Sequence, residues 1–142
     1  MQVSDILKAK GSAVVTAPPG LSVTEALAIL AEKRIGSILI MEEGGIAGIL
    51  SERDIVRALA KNGPACLQGP VSQLMTVRVV TCAPQQTIAE VMQLMTEGRF
   101  RHVPVVAGAR LAGMVSIGDV VKWRLEEAEE EVRQMTAYVA GS

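Results

Sequence analysis

Apolar residues fall into the same arrangement twice along this chain. Val23, Ala26, Leu27 and Leu30 follow the i, i+3, i+4, i+7 spacing of a helix with one buried face, and Ile88, Val91, Met92 and Met95 repeat it further on. Ser22-Val23-Thr24-Glu25 and Thr87-Ile88-Ala89-Glu90 open these helices as capping boxes, in which hydroxyl and carboxylate satisfy backbone N–H groups that lack a partner inside the helix. A short extended opening, Val14-Val15-Thr16 or Val79-Val80-Thr81, and a proline-containing turn precede each helix. After each come two apolar runs split by a turn: Ser37 to Met41 and Ile46 to Leu50, then His102 to Val106 and Leu111 to Val115. These are hairpins. A second helix starts after Ser51 or Ser116. In the first copy it carries Ile55, Val56 and Leu59 and stops at Asn62-Gly63-Pro64; in the second it runs through Trp123 and an acidic stretch to about Ala140.

The two copies are one unit written twice, because Val15 to Val56 lies over Val80 to Val121 at a constant offset of 65 without a gap. Pro19 falls on Pro84, Glu25 on Glu90, Glu32 on Glu97, Gly48 on Gly113, Ser51 on Ser116 and Asp54 on Asp119. A lead-in is duplicated as well, Val3-Ser4-Asp5-Ile6-Leu7 resembling Val71-Ser72-Gln73-Leu74-Met75 at an offset of 68. The expected organisation is therefore a first motif with its lead-in over 1–63, a linker over 64–70, a second motif over 71–124 and a helical tail over 125–142. One copy of roughly 45 residues is too small to bury enough surface alone, so the halves should fold against each other. The expected fold is α+β: β-α-β-β-α used twice with pseudo-two-fold symmetry, small sheets face to face, helices outside, equivalent clefts between the halves, and a C-terminal helix.

Composition narrows the chemistry. With 49% hydrophobic and 20% charged residues over 142 positions the chain buries a real core, and one Trp, one Tyr and one Phe leave that core to aliphatic side chains. Base stacking on aromatic platforms is not expected. A net charge of -1 supplies no basic field for nucleic acid or an anionic membrane. No stretch approaches the roughly 18 apolar residues of a membrane helix, and Met1 to Lys10 does not read as a signal peptide, so a soluble cytoplasmic protein is expected. Cys66, Cys82 and the single His102 have no metal-ligand spacing, and both thiols read as reduced and inert.

The order of these motifs resembles the cystathionine-β-synthase (CBS) domain pair, or Bateman module, from about Val3 to Arg124. The resemblance rests on the opening strand ending in Thr, the Glu-Ala helix, the strand Arg99-Phe100-Arg101-His102-Val103-Pro104-Val105, and Gly-x-x-Ser-x-x-Asp at Gly48 to Asp54 and again at Gly113 to Asp119. It is greatest to stand-alone bacterial CBS-pair proteins, whose members bind adenine nucleotides including AMP and nicotinamide dinucleotides. What the resemblance implies is a carboxylate, Asp54 or Asp119, that accepts hydrogen bonds from both ribose hydroxyls, with Ser51 or Ser116 and the helix N-terminus facing phosphate. Ser-x-x-Asp before an apolar run is also an ordinary N-terminal capping box, and the two roles are compatible.

Adenine is then expected in an apolar slot between Thr16 or Thr81 and the hairpin strand, at Ile38 and Ile40 or Val103 and Val105, reading backbone groups. Cations for the phosphate differ between the copies: Arg101-His102 stands where the first copy has Gly36-Ser37, and Arg53 stands where the second has Gly118. The two sites should therefore be unequal. The bound ligand is expected to be AMP, ATP or NAD(H), with no catalytic cofactor and no metal.

Val121, Leu125, Ala128, Val132, Met135 and Val139 recur at heptad-like spacings with acidic residues on other faces, a seam that suits either the chain's own module or a second subunit, and a homodimer is expected. The expected function is a non-catalytic sensor for signal transduction or energy sensing, whose nucleotide-dependent change is read by an unidentified regulated protein. An enzyme is disfavoured because no nucleophile, base and orienting group come together. A structural interaction module without nucleotide is the alternative, and an S-adenosylmethionine sensor is a further option.

Overall fold

The computed structural model describes residues 1–141. It holds α1 (Val3–Lys10), β1 (Thr16–Ala17), α2 (Val23–Lys33), β2 (Ser37–Glu42), β3 (Gly45–Ser51), α3 (Glu52–Asn62), α4 (Ile88–Gly98), β4 (His102–Ala107), β5 (Arg110–Ser116) and α5 (Ile117–Gly141), with short 3-10 turns at Pro64–Gln68 and Val71–Gln73. The chain divides into two compact units. One is Val14–Val79; the other joins Met1–Ala13 to the chain from Val80 onward.

In the Val14–Val79 unit β1 runs parallel to β2, and β2 pairs antiparallel with β3, giving the order β1-β2-β3. The hairpin turns through Glu43 and Gly44, both with positive φ (52° and 77°), the backbone twist that matches strand twist in a tight β-turn. Helix α2 lays Val23, Ala26 and Leu30 onto Ile38, Ile40 and Leu50 of the sheet, and α3 adds Ile55. Val71 belongs to this same core. Its N–H donates to Leu21 O at 2.7 Å, while Thr76 and Ile49 exchange backbone bonds of 2.9 and 3.0 Å at the free edge of β3. The chain from Val71 to Thr76 thus completes the first repeat.

The other unit is built around β4 and β5, with Ile88, Val91 and Met95 of α4, Val103 and Val105 of β4, Val115 of β5 and Val120 of α5 in its core. Val3 and Ile6 of α1 complete that core. Val3 and Ser4 donate to Gln86 O and Pro84 O, and Ile88 donates back to Met1 O. The lead-ins are therefore exchanged: each packs on the repeat other than the one it immediately precedes in sequence. Repeats of sequence and units of packing divide this chain differently.

Helix and hairpin positions agree with the periodicity, each strand extending a residue or so further. Two local features differ. The opening strand of the first repeat lies at Thr16–Ala17 rather than 14–16, and in the second repeat it shrinks to one bridge, Cys82 with Val105. Proline is the cause. Leu39 N–H donates to Val15 O in the first repeat, but the matching residue in the second is Pro104, which has no N–H to give. The second difference is at Ser22, where Glu25 N–H donates to the serine hydroxyl as expected, but the Glu25 carboxylate takes the Ser22 hydroxyl rather than its N–H. Thr87 and Glu90 make the full reciprocal box.

The glycines that open the two Gly-x-x-Ser-x-x-Asp motifs carry the exchanged lead-ins against the hairpins. A Cβ at Gly113 would lie 2.6 Å from Leu7 Cδ2, and one at Gly48 would lie 2.6 Å from Met75 Sδ and 2.9 Å from the Thr76 carbonyl oxygen. A leucine tip can turn aside, whereas a backbone oxygen held in a strand-edge bond cannot. Gly48→Ala is therefore expected to destabilise by about 1–3 kcal/mol and Gly113→Ala by less, as read by urea denaturation. Equal losses would contradict this packing.

Candidate functional site

Each unit contains one corner where a hairpin strand turns directly into a helix. At the first, Ser51 ends β3 and caps α3: its hydroxyl accepts from Asp54 N–H at 3.3 Å, while Asp54 Oδ2 accepts from Ser51 N–H at 2.8 Å and from the Ser51 hydroxyl at 3.0 Å. At the second, Ser116 and Asp119 repeat this with 3.3, 2.9 and 3.1 Å. All four residues are half-buried. Glu52 N–H donates to Gly36 O and Ile117 N–H to Arg101 O, so the residues before β2 and β4 are drawn to the helix N-termini. That places Arg101 and His102 beside the second corner, and His102 pairs with Ser116 in the β4–β5 register.

The expected site residues divide by exposure. Thr16 and Thr81 are exposed beside β2 and β4, and Arg53 and Arg101 are exposed. Neither guanidinium makes an ion pair among the described residues, which leaves both free to meet an anion. Ile38, Ile40, Val103 and Val105 have no exposed surface and belong to the cores of their units. What those strands can offer a base is backbone rather than side chain.

The two carboxylates meet different neighbours. Asp54 Oδ1 accepts from the Thr76 hydroxyl at 3.3 Å. Asp119 Oδ2 instead pairs with Lys10 Nζ at 2.7 Å, and the same ammonium donates to Met114 O at 3.1 Å. Sequence reasoning missed Lys10, because nothing in the pattern of α1 links it to a residue 109 positions away. Burial alone would raise the Asp119 carboxyl, but the bonded Lys10 ammonium and the Ser116 N–H and hydroxyl together hold it below the usual carboxylate range. Burial pushes the Cys82 thiol up to about 11, which keeps it protonated and unreactive at neutral pH. Among the described residues no cluster of His, Cys, Asp or Glu could hold a metal ion.

The CBS domain family matches residues 3–61 and 71–126, spanning both repeats and both corners. This chain belongs to the CBS domain family. A CBS domain-containing protein of Arabidopsis thaliana, CBSX3, described as mitochondrial, is 32% identical over 98% of this chain and 72% of its own length. Among solved structures, the CBS-domain protein ATU1752 of Agrobacterium tumefaciens is 47% identical with a TM-score of 0.85, covering 87% of this chain and 99% of its own. The CBS pair of MJ0100, in complex with 5′-methylthioadenosine and S-adenosylmethionine, is 29% identical with a TM-score of 0.78 over 89% and 98%. PAE2072 of Pyrobaculum aerophilum, complexed with AMP, is 26% identical with a TM-score of 0.74 over 84% and 89%. No helix among the described residues is long and apolar enough to cross a membrane.

The CBS corner makes a pH prediction. Because the Asp119 carboxyl is held down in the folded state, its contribution to stability is present above the unfolded value of about 3.9 and is lost as pH falls through the lower folded value. Asp119→Asn should therefore cost stability at pH 7 and progressively less below pH ~4. Denaturant unfolding at both pH values checks it; a cost independent of pH would contradict the pairing.

Proposed function

We propose that this CBS pair is a non-catalytic sensor that binds an adenine nucleotide at its two strand-to-helix corners and passes the occupancy to a protein partner. The observation that carries the reading is the repetition of the corner: a half-buried aspartate caps its own helix in both units, beside an arginine that makes no ion pair among the described residues. A cis-diol needs such a carboxylate acceptor, and phosphate needs the helix N–H groups and the cation. The ligands held by the solved relatives MJ0100 and PAE2072 share the adenosine moiety, which supports adenosine as the recognised core. AMP, ATP and NAD(H) suit the free arginines; S-adenosylmethionine is the alternative, and a protein-docking module without nucleotide is the other. Activation of a substrate is no part of the reading, since the buried Cys82 thiol stays protonated.

We also propose that the sensor is a homodimer through its tail. Val120 is buried and Trp123 packs on the core, but beyond them Leu125, Val132 and Met135 are 59, 63 and 71% exposed in a single chain. A second copy packed along this stripe would cover its apolar side chains.

Calorimetric titration of nucleotide-stripped protein with AMP, ATP, NADH and S-adenosylmethionine tests the function, with light scattering on the same samples for mass. Saturable binding of an adenine nucleotide is expected, reduced about tenfold or more at the altered site by Asp54→Ala or Asp119→Ala, while each loses only the ~1 kcal/mol of a helix cap in stability. Heat from none of the four ligands with folded protein would turn the reading to a docking module. A monomeric mass at micromolar concentration would refute the dimer.

A further inference from the structure

The two corners are alike in backbone and unlike in charge. The first carries Glu52, Arg53 and Asp54, with Gly36-Ser37 before its strand, and has one net negative charge. The second carries Ile117, Gly118 and Asp119, with Arg101 before its strand and the Lys10 ammonium 2.7 Å from the carboxylate, and has one net positive charge. The difference is not a feature of the repeat. The lead-in residue that matches Lys10 at the offset of 68 is Arg78, which is exposed and makes no ion pair among the described residues; Asp54 receives only the Thr76 hydroxyl from its own exchanged lead-in.

An ammonium has three N–H donors and no acceptor. Lys10 directs one at Asp119 Oδ2 and one at Met114 O, which fixes the nitrogen at the corner and leaves its third donor unassigned among the described residues. Its side chain remains 38% exposed. A lysine so placed does two things for a bound nucleotide. It cancels the repulsion that the Asp119 carboxylate would exert on a nearby phosphate, and it offers that phosphate a charge-assisted hydrogen bond. No cation is bonded to the Asp54 carboxylate, and Glu52 offsets the neighbouring Arg53, so the net field of that corner favours phosphate less and tolerates a neutral or cationic group at the same place.

We infer that Lys10 is a specificity-determining residue of this protein: it makes the Asp119 corner a site for phosphorylated adenosine, while the Asp54 corner takes adenosine compounds whose 5′ end is uncharged or cationic. The inference rests on the nucleotide reading above and goes beyond it in assigning a different chemical class to each site. It also makes α1, a lead-in to the first repeat, part of the binding apparatus of the second.

Adenosine and AMP are the probes that separate the classes, since they differ only in the phosphate. Full-length protein is titrated with each, alongside Lys10→Met, which keeps the stem and removes the charge, and Lys10→Arg, which keeps the charge; Asp119→Ala identifies the isotherm of the second site. AMP affinity at that site is expected to fall about tenfold or more in Lys10→Met and to return in Lys10→Arg, while adenosine changes less than about twofold. In the wild type, AMP binding there should weaken between low and high salt while adenosine binding holds, a readout that needs no variant. AMP affinity unchanged in Lys10→Met and insensitive to salt overturns the assignment and leaves the nucleotide reading standing. Equal losses of AMP and adenosine without rescue by arginine also overturn it, by making Lys10 a structural residue. Wild-type protein that binds neither probe overturns the assignment, and the titrations with ATP, NADH and S-adenosylmethionine then decide the nucleotide reading.

Discussion

An aspartate at the third position of a helix has two carboxylate oxygens, and closing the helix requires only one. At both corners Oδ2 takes the serine N–H and hydroxyl, which fixes the side chain at the helix N-terminus and keeps it half-buried. The rest of the arrangement depends on that division. Because the cap holds the carboxylate, the strand before it and the helix after it meet at a set angle, and the residue that opens the hairpin, Gly36 or Arg101, is hydrogen-bonded to the same helix start. A function that uses the aspartate therefore inherits a group already ordered by folding, with little rotamer entropy left to lose on binding.

Exchange of the lead-ins adds to what makes the two corners differ. Were each lead-in to pack on its own repeat, the residues beside Asp54 and Asp119 would come from the sequence immediately before. Instead, the glycines at 48 and 113 admit Met75 and Leu7, and the chain around them supplies a threonine hydroxyl to one carboxylate and a lysine ammonium to the other. Together with Glu52 and Arg53 at the first corner and Arg101 at the second, this gives a duplicated sequence two corners with the same backbone and opposite net charge. The hydrogen-bonded cap, being common to both, accounts for what the corners share.

Much of this was legible in the sequence, for a physical reason. Helices α2 and α4 have apolar stripes at helical period, and the hairpins have apolar runs broken by turn residues, so local patterning alone places them. The Ser-x-x-Asp pairs are also local, which is why both caps could be read from spacing. What escaped was non-local or subtractive. The pairing of Lys10 with Asp119 joins residues at opposite ends of the chain, and the internal repeat points away from it, because the counterpart of Thr76 at the lead-in offset is Lys8. The shortened opening strand of the second repeat depends on an N–H that Pro104 lacks, in a neighbouring strand. Ile38, Ile40, Val103 and Val105 lie in continuous apolar runs that do not distinguish slot lining from core, and burial puts their side chains in the core.

Both capped aspartates are held to be binding groups as well as structural ones, and amide-resolved NMR during addition of AMP addresses that claim most directly. The account predicts that the amides of Ser116 and Asp119 shift first and furthest, those of Ser51 and Asp54 following at higher concentration, since these N–H groups lie in the caps that the ligand would contact. Saturable binding of AMP that leaves all four amides unmoved would contradict it.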